Sequence, residues 1–109
     1  MARDSGLEEF VGEYLEDLPG LGGKAMFGSW CWLLDGNLLC CASQDGVMVR
    51  LGKGHEQWAL AADGITPFIN GERPMPGWVL VAPETFANDS LARALIAGAL
   101  SFVRGLHPK

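Results

Sequence analysis

Apolar and polar positions repeat with different periods along the chain, and these periods predict its elements. Near the amino end, apolar residues at helical spacing predict a helix from Ser5 to Leu18, with Ser5 and Glu8 forming a capping box. A second helical stripe predicts the last helix from Leu91 to about Gly105, capped by a residue within 88–90. Between them lie short apolar runs of the length typical of strands.

The chain is organised around the stretch from Met26 to Leu51. It contains three apolar runs, separated by Asp35-Gly36 and Asp45-Gly46. Asp-Gly between apolar runs favours a two-residue type I′ hairpin, because both central residues of that turn need a positive φ. Two such turns in succession predict a three-stranded antiparallel meander.

The remaining elements complete a single domain over residues 1–109. Gly20 to Ala25 is interpreted as a flexible connector, and His55 to Ala62 as a short helix. Two further strands are predicted, over Ile65 to Ile69 and Trp78 to Val81. The expected fold class is α+β, a two-layer α-β(3)-α-β(2)-α domain with an antiparallel five-stranded sheet.

Counting outward from the two turns predicts which residues share a face of the meander, since side chains alternate along a strand. One predicted face is mainly aliphatic and is the better candidate for the core: Phe27, Ser29, Cys31, Leu33, Leu38, Cys40, Ala42, Val47, Val49 and Leu51. The other predicted face contains Met26, Trp30, Trp32, Leu34, Leu39, Cys41, Ser43, Met48 and Arg50. Both are largely apolar, unlike those of a sheet with one solvated side.

The second of these faces predicts an association surface. Its candidate interface residues are Trp30, Trp32, Leu39, Met48 and Arg50, which are of types enriched at interface centres. A large exposed apolar patch is rare on a monomer, so we expect a homodimer or an unknown protein partner. The alternative is that a helix or loop of the same chain covers this face.

The predicted register also places Cys31 opposite Cys40, at a Cα separation of about 4.5 Å if the pair is non-hydrogen-bonded. That distance is at the short end of disulfide geometry, so these cysteines form a candidate redox pair. Buried cysteines also occur simply as small apolar residues. A metal site formed by Cys40, Cys41 and His55 is disfavoured, because adjacent strand residues point to opposite faces.

No catalytic motif, metal-ligand spacing or cofactor-binding motif is found, which favours a non-catalytic protein without a cofactor. The alternative is a small-molecule-binding or enzymatic domain that uses a groove near His55, Arg50 and Arg73. The net charge of −5 disfavours direct nucleic-acid binding. Neither a signal peptide nor an apolar run long enough to span a membrane is found, so a cytoplasmic location is expected.

An ordered set of short motifs extends from Lys24 to the last helix. They are Lys24-Ala-Met-Phe-Gly28, Leu34-Asp-Gly36, Asp45-Gly46, Val49-Arg-Leu51, Pro67-Phe68, Met75 to Val81 and Pro83-Glu84. In this order they resemble the TfoX N-terminal domain family. The resemblance implies a secretion-chaperone-like α+β fold and a regulatory role linked to competence genes, and it implies no catalytic residues. Full-length competence regulators of this kind carry a second, helical domain.

Overall fold

The computed structural model describes residues 2–26 and 28–109. The described residues form an α+β fold with one antiparallel sheet and four short or medium helices. In chain order the elements are α1 (Ser5–Glu13), β1 (Leu21–Met26), β2 (Ser29–Leu34), β3 (Asn37–Ser43), β4 (Gly46–Arg50), α2 (Gln57–Leu60), β5 (Ile65–Asn70), β6 (Arg73–Val81), α3 (Pro83–Phe86) and α4 (Asp89–Val103). The predicted fold class and antiparallel sheet are therefore confirmed.

The described residues form six strands rather than the predicted five, in the order β1-β2-β3-β4-β6-β5. The additional strand is β1, which includes most of the segment interpreted as a connector. Its glycines suggested flexibility, yet Gly23 lies beneath the indole of Trp30, and a Cβ there would approach that ring to 2.6 Å. Glycine in a strand often marks such a close approach, so the ring supplies the packing that Gly23 lacks.

The first hairpin of the meander has the predicted turn, but the strands beyond it are out of the predicted register. Asp35 and Gly36 both have positive φ, at 50° and 84°, as a type I′ turn requires. Leu33 then pairs with Leu38, whereas Trp32 pairs with Cys40, which leaves Leu39 as an extra residue. This bulge reverses the faces of β2 relative to β3, because side chains alternate with a period of two.

The second turn lies one residue earlier than predicted. Ser43 pairs with Gly46, so Gln44 and Asp45 form the turn and Gly46 begins β4 with φ 133°. A Cβ on Gly46 would overlap the carbonyl oxygen of Val81 at the end of β6. Gly46 can therefore begin β4 because it has no side chain to collide with the end of β6. Since the shift moves the pairing by an even number of residues, the faces of β3 and β4 are unchanged.

The helices pack on one side of the sheet, called here the helical face. Helix α1 is capped by Asp4, whose carboxylate accepts from the Leu7 amide at 3.1 Å, so the predicted cap at Ser5 is wrong. Helix α4 is capped by Asn88, one of the three residues within 88–90 that the sequence offered for this cap. The side chains that form the main core from strands and helices are completely or almost completely buried: Val11, Leu15, Leu39, Val47, Val49, Leu51, Val79, Val81, Phe86, Leu95 and Val103.

The core confirms part of the predicted aliphatic face. Val47, Val49 and Leu51 lie in it, together with Cys40 and Ala42. Cys31 and Leu38, assigned to the same face from the sequence, instead lie on the opposite side of the sheet. Phe27 lies outside the described residues. No helix among the described residues is long and apolar enough to cross a membrane.

Candidate functional site

A second apolar cluster lies on the side of the sheet opposite the helices, and it is called here the sulfur face. Its described members all come from strands: Cys31, Cys41 and Met48, with the partly buried Met26, Leu38, Phe68, Trp78 and Leu80 packed around them. A groove of about 340 Å³ runs over this face. Its lining also includes Met75 and Ile69, and Ile69 is 54% exposed. The three central members are buried, and solvent reaches this face at the partly buried residues around them and at Ile69.

Alternation along the strands explains why these residues meet. Met48 pairs with Cys41 on one side and with Leu80 on the other, so three neighbouring strands contribute one row of the face. The hairpin of β5 and β6 then adds Phe68 and Trp78 to the cluster. The residues next to these in the sequence, such as Val49 and Val79, point to the other side of the sheet and belong to the core.

Two cysteines form part of the floor of the groove. Cys31 and Cys41 are direct Cα partners across β2 and β3, and they are 3% and 8% exposed. The two thiols interact as hydrogen-bond partners. This hydrogen bond, helped by the positive charge of Lys24, lowers the pKa of the Cys31 thiol against the opposing effect of burial. The same hydrogen bond and burial raise the pKa of the Cys41 thiol, so Cys31 is the better thiolate.

Arg50 lies at the border of the sulfur face. It pairs with Trp78, and its guanidinium carbon lies 5.9 Å from the centre of that ring and 5.4 Å from the centre of the Phe102 ring. Its Nη1 donates to the carbonyl oxygen of Leu38 at 3.2 Å. The guanidinium thus contacts β3, β6 and helix α4. Its distances from the two rings are typical of cation–π contacts.

The predicted association surface does not exist as one face. Trp30 and Trp32 share a face as predicted, but it is the helical face: Trp32 is 6% exposed within the core and Trp30 packs against it. Leu39 is completely buried in the same core, whereas Met48 and Arg50 lie on the sulfur side. The predicted grouping is wrong because the Leu39 bulge was not foreseen. Its physical effect is to pack both indoles on the helical face, where Trp32 is buried, and to place the small Cys31 on the opposite side of the sheet.

The predicted Cys31–Cys40 pairing is wrong for the same reason. Cys40 pairs with Trp32 and is completely buried on the helical face, where burial raises the pKa of its thiol. Cys40 and Cys41 point to opposite faces, as the sequence indicated, and His55 lies in a different part of the fold. Among the described residues, no group of three or more His, Cys, Asp or Glu side chains is placed to hold a metal ion.

The three residues predicted to form an alternative ligand groove, His55, Arg50 and Arg73, do not line one common groove. His55 lines a cleft of about 720 Å³ between the segment around α2 and helix α4, together with Trp58, Ser101 and Phe102. Trp58 is 47% exposed. Arg50 reaches this region through its contact with Phe102. Arg73 begins β6 opposite Asn70, in the exposed β5–β6 hairpin.

No candidate site predicted from the sequence includes Phe68, Ile69, Met75 or Trp78, although these residues line the groove. A signal was present in the last strand. Trp78 and Leu80 alternate with Val79 and Val81, and the two valines share the type of the core residues on β4. Pairing that strand with the meander would have placed Trp78 beside Arg50. The order of strands in the sheet was needed to make that connection.

The chain matches a known protein family. The model of the TfoX N-terminal domain family matches residues 13–103 of the 109-residue chain. Neither a curated protein nor a solved structure matches the chain. The matched region extends from the end of α1 to the end of α4 and includes every strand of the described sheet. The chain therefore belongs to the TfoX N-terminal domain family.

Proposed function

We propose that this chain is a non-catalytic regulatory domain that acts through protein contacts, as a homodimer joined by its sulfur faces. The observation that carries this proposal is the groove of about 340 Å³ on the sulfur face, which the exposed Ile69 helps to line. Contiguous exposed apolar surface on a small domain usually marks an interaction site. A second copy of the chain is the occupant that the chemistry of this face favours.

The composition of the sulfur face supports self-association. Methionine and aromatic residues, which are enriched at interface centres, make up most of its partly buried members. In a two-fold symmetric dimer each surface meets its own copy, so a charged face would oppose like charges. The described members of this cluster are apolar residues and two thiols, and the bordering Arg50 already contacts two rings and a carbonyl of its own subunit.

Family membership supports the regulatory part of the proposal. The resemblance implies a role linked to competence genes and supplies no catalytic residues. We infer that the domain works in the cytoplasm without a cofactor, and that it acts on other proteins rather than on nucleic acid, in keeping with its net charge of −5. The secretion-chaperone-like character of the fold stays a prediction.

Two exposed apolar residues provide a matched test of the interface. Ile69 lines the sulfur-face groove, whereas Trp58 lines the cleft beside α4, and they are 54% and 47% exposed. In sedimentation velocity over a concentration series, Ile69→Glu should weaken the wild-type dimer about tenfold or more, because a charge would be buried at its centre. Trp58→Glu should leave the dimer unchanged. A wild-type chain that stays monomeric throughout the series contradicts the proposal, and so does an equal effect of both variants.

The cleft beside helix α4 favours a second candidate function, the binding of a small molecule. It combines the apolar Trp58 and Phe102 with the polar His55, Gln57 and Ser101, a mixture typical of ligand sites. Native mass spectrometry of the freshly purified chain tests this candidate. A bound mass retained by the wild type and lost in Trp58→Ala supports it, whereas a bound mass retained by both proteins, or by neither, contradicts it.

A further inference from the structure

The structure brings together two thiols that the sequence-based register kept apart. Cys31 and Cys41 are Cα partners on adjacent antiparallel strands, and both side chains belong to the cluster under the sulfur-face groove. Directly opposed residues in an antiparallel pair have Cβ atoms about 4.5–5.5 Å apart. A disulfide needs a Cβ separation of about 3.5–4.5 Å, so a movement of about 1 Å would bring the sulfur atoms into bonding range.

The surroundings of the two thiols differ from those of the third cysteine. Cys31 and Cys41 line the groove and keep 3% and 8% of their surface exposed, while Cys40 is completely buried in the core on the other side of the sheet. As direct cross-strand partners on the same face of the sheet, Cys31 and Cys41 present their sulfur atoms side by side. One sulfur can therefore act as the attacking group and the other as the resolving group, which is the arrangement found in redox-sensitive cysteine pairs.

We propose that Cys31 and Cys41 form a reversible cross-strand disulfide when the protein meets a hydroperoxide. The Cys31 thiolate sulfur attacks one peroxide oxygen, the O–O bond breaks, and the departing oxygen takes a proton and leaves as water or an alcohol. Cys31 is then a sulfenic acid. The Cys41 sulfur attacks the Cys31 sulfur, and the hydroxyl group leaves with the Cys41 proton as water.

The two steps balance as follows for hydrogen peroxide. Two thiols and one peroxide molecule give one disulfide and two molecules of water, and two electrons pass from sulfur to oxygen. A dithiol reductant reverses the change by exchange, and its own two thiols become a disulfide. The bond would covalently join β2 to β3 across the floor of the groove. The chemistry takes place within one chain and does not depend on the proposed homodimer.

Two variants with the same number of cysteines test the proposal. Cys40→Ala keeps Cys31 and Cys41, and Cys41→Ala keeps Cys31 and Cys40. The reduced chains are treated with hydrogen peroxide at low concentration, quenched and examined by intact mass and by chymotryptic mapping under non-reducing conditions. Cys40→Ala should lose two hydrogen atoms, yield one crosslinked peptide pair and recover both thiols with dithiothreitol. Cys41→Ala should form no intramolecular crosslink.

Wild-type protein provides a second measurement that does not rely on a core substitution. Its thiol count in denaturant should fall from three to one, and alkylation with fragment-ion sequencing should place the remaining thiol on Cys40. A remaining thiol at position 31 or 41 would overturn the proposal. It would also be overturned if both thiols of a folded Cys40→Ala protein survived, if the crosslink joined two chains, or if Cys41→Ala crosslinked equally well. None of these outcomes bears on the sedimentation test of the homodimer.

Discussion

The two faces of the sheet use apolar side chains for different purposes. On the helical face, Leu39, Val47 and Val49 are completely buried among residues from the helices. On the sulfur face, Leu38 and Phe68 are only partly buried. Adjacent residues of one strand therefore occupy a packed core and an open groove. The helical face contributes most of the stability, whereas the sulfur face leaves apolar area available for contacts with other molecules.

The largest expected effect comes from two adjacent leucines on opposite faces of β3. Leu39→Ala removes a completely buried side chain from the core and should lower the free energy of unfolding by about 2–5 kcal/mol. Leu38→Ala removes a partly exposed one and should lower it by about 1 kcal/mol, since less area is transferred back to water. Urea denaturation of both variants measures the difference. Equal losses would show that the two faces are packed alike.

An intermediate effect is expected for the arginine that borders the sulfur face. Arg50→Ala removes the contacts of the guanidinium with Trp78 and Phe102 and its hydrogen bond to Leu38. The free energy of unfolding should fall by about 1–2 kcal/mol. The exposed Lys53 provides the control, because Lys53→Ala should change stability by no more than about 0.5 kcal/mol. Similar values for both variants would show that the ring contacts add nothing.

The smallest expected effect depends on pH. The carboxylate of Glu56 accepts from the amides of Gly54 and Gly77, both at 2.8 Å, and so ties the loop after β4 to β6. Its own backbone amide, then those of Gly77 and Gly54, lower its pKa in the folded state. The stability from this group is therefore present above the unfolded pKa of about 4.3 and is lost as the pH falls through the lower folded value.

A matched pair of variants measures this contribution. Glu56→Gln should lower the free energy of unfolding by less than about 1 kcal/mol at neutral pH, because the site is close to solvent. The difference from wild type should shrink as the pH is lowered toward acid. Glu72→Gln, at an exposed position of the β5–β6 hairpin, is the control. A difference that stays constant with pH, or one that Glu72→Gln reproduces, would contradict the role assigned to the carboxylate.

Local sequence patterns were sufficient to predict much of the fold. The Asp35-Gly36 turn, the cap at Asn88 and the core valines of β4 follow from short-range chemistry, namely positive φ, satisfied amides and alternation. Pro67 lies in β5, the last strand of the sheet, where a residue without an amide hydrogen is tolerated. Each of these features depends on residues a few positions apart in the chain.

The candidate site was predicted less well, because it depends on one residue. The extra Leu39 in β3 moves Trp30 and Trp32 to the helical face and brings Cys31 opposite Cys41. A straight pairing of the same runs satisfies every local rule equally well. Burial of the large indoles against the helices favours the bulged pairing, since aromatic side chains bury more apolar area than a cysteine does.

By itself, the sequence determined the presence of a helix near each end, the meander, the apolar character of both sheet faces and the family to which the chain belongs. The tertiary structure decided which face the helices cover, that a glycine-rich segment becomes a strand beneath Trp30, and that Gly46 enters β4 against Val81. The physical reason is that these choices arise from contacts between residues far apart in the chain. Such contacts favour the register that buries more apolar area, because a shift of one residue moves every side chain of a strand to the other face of the sheet.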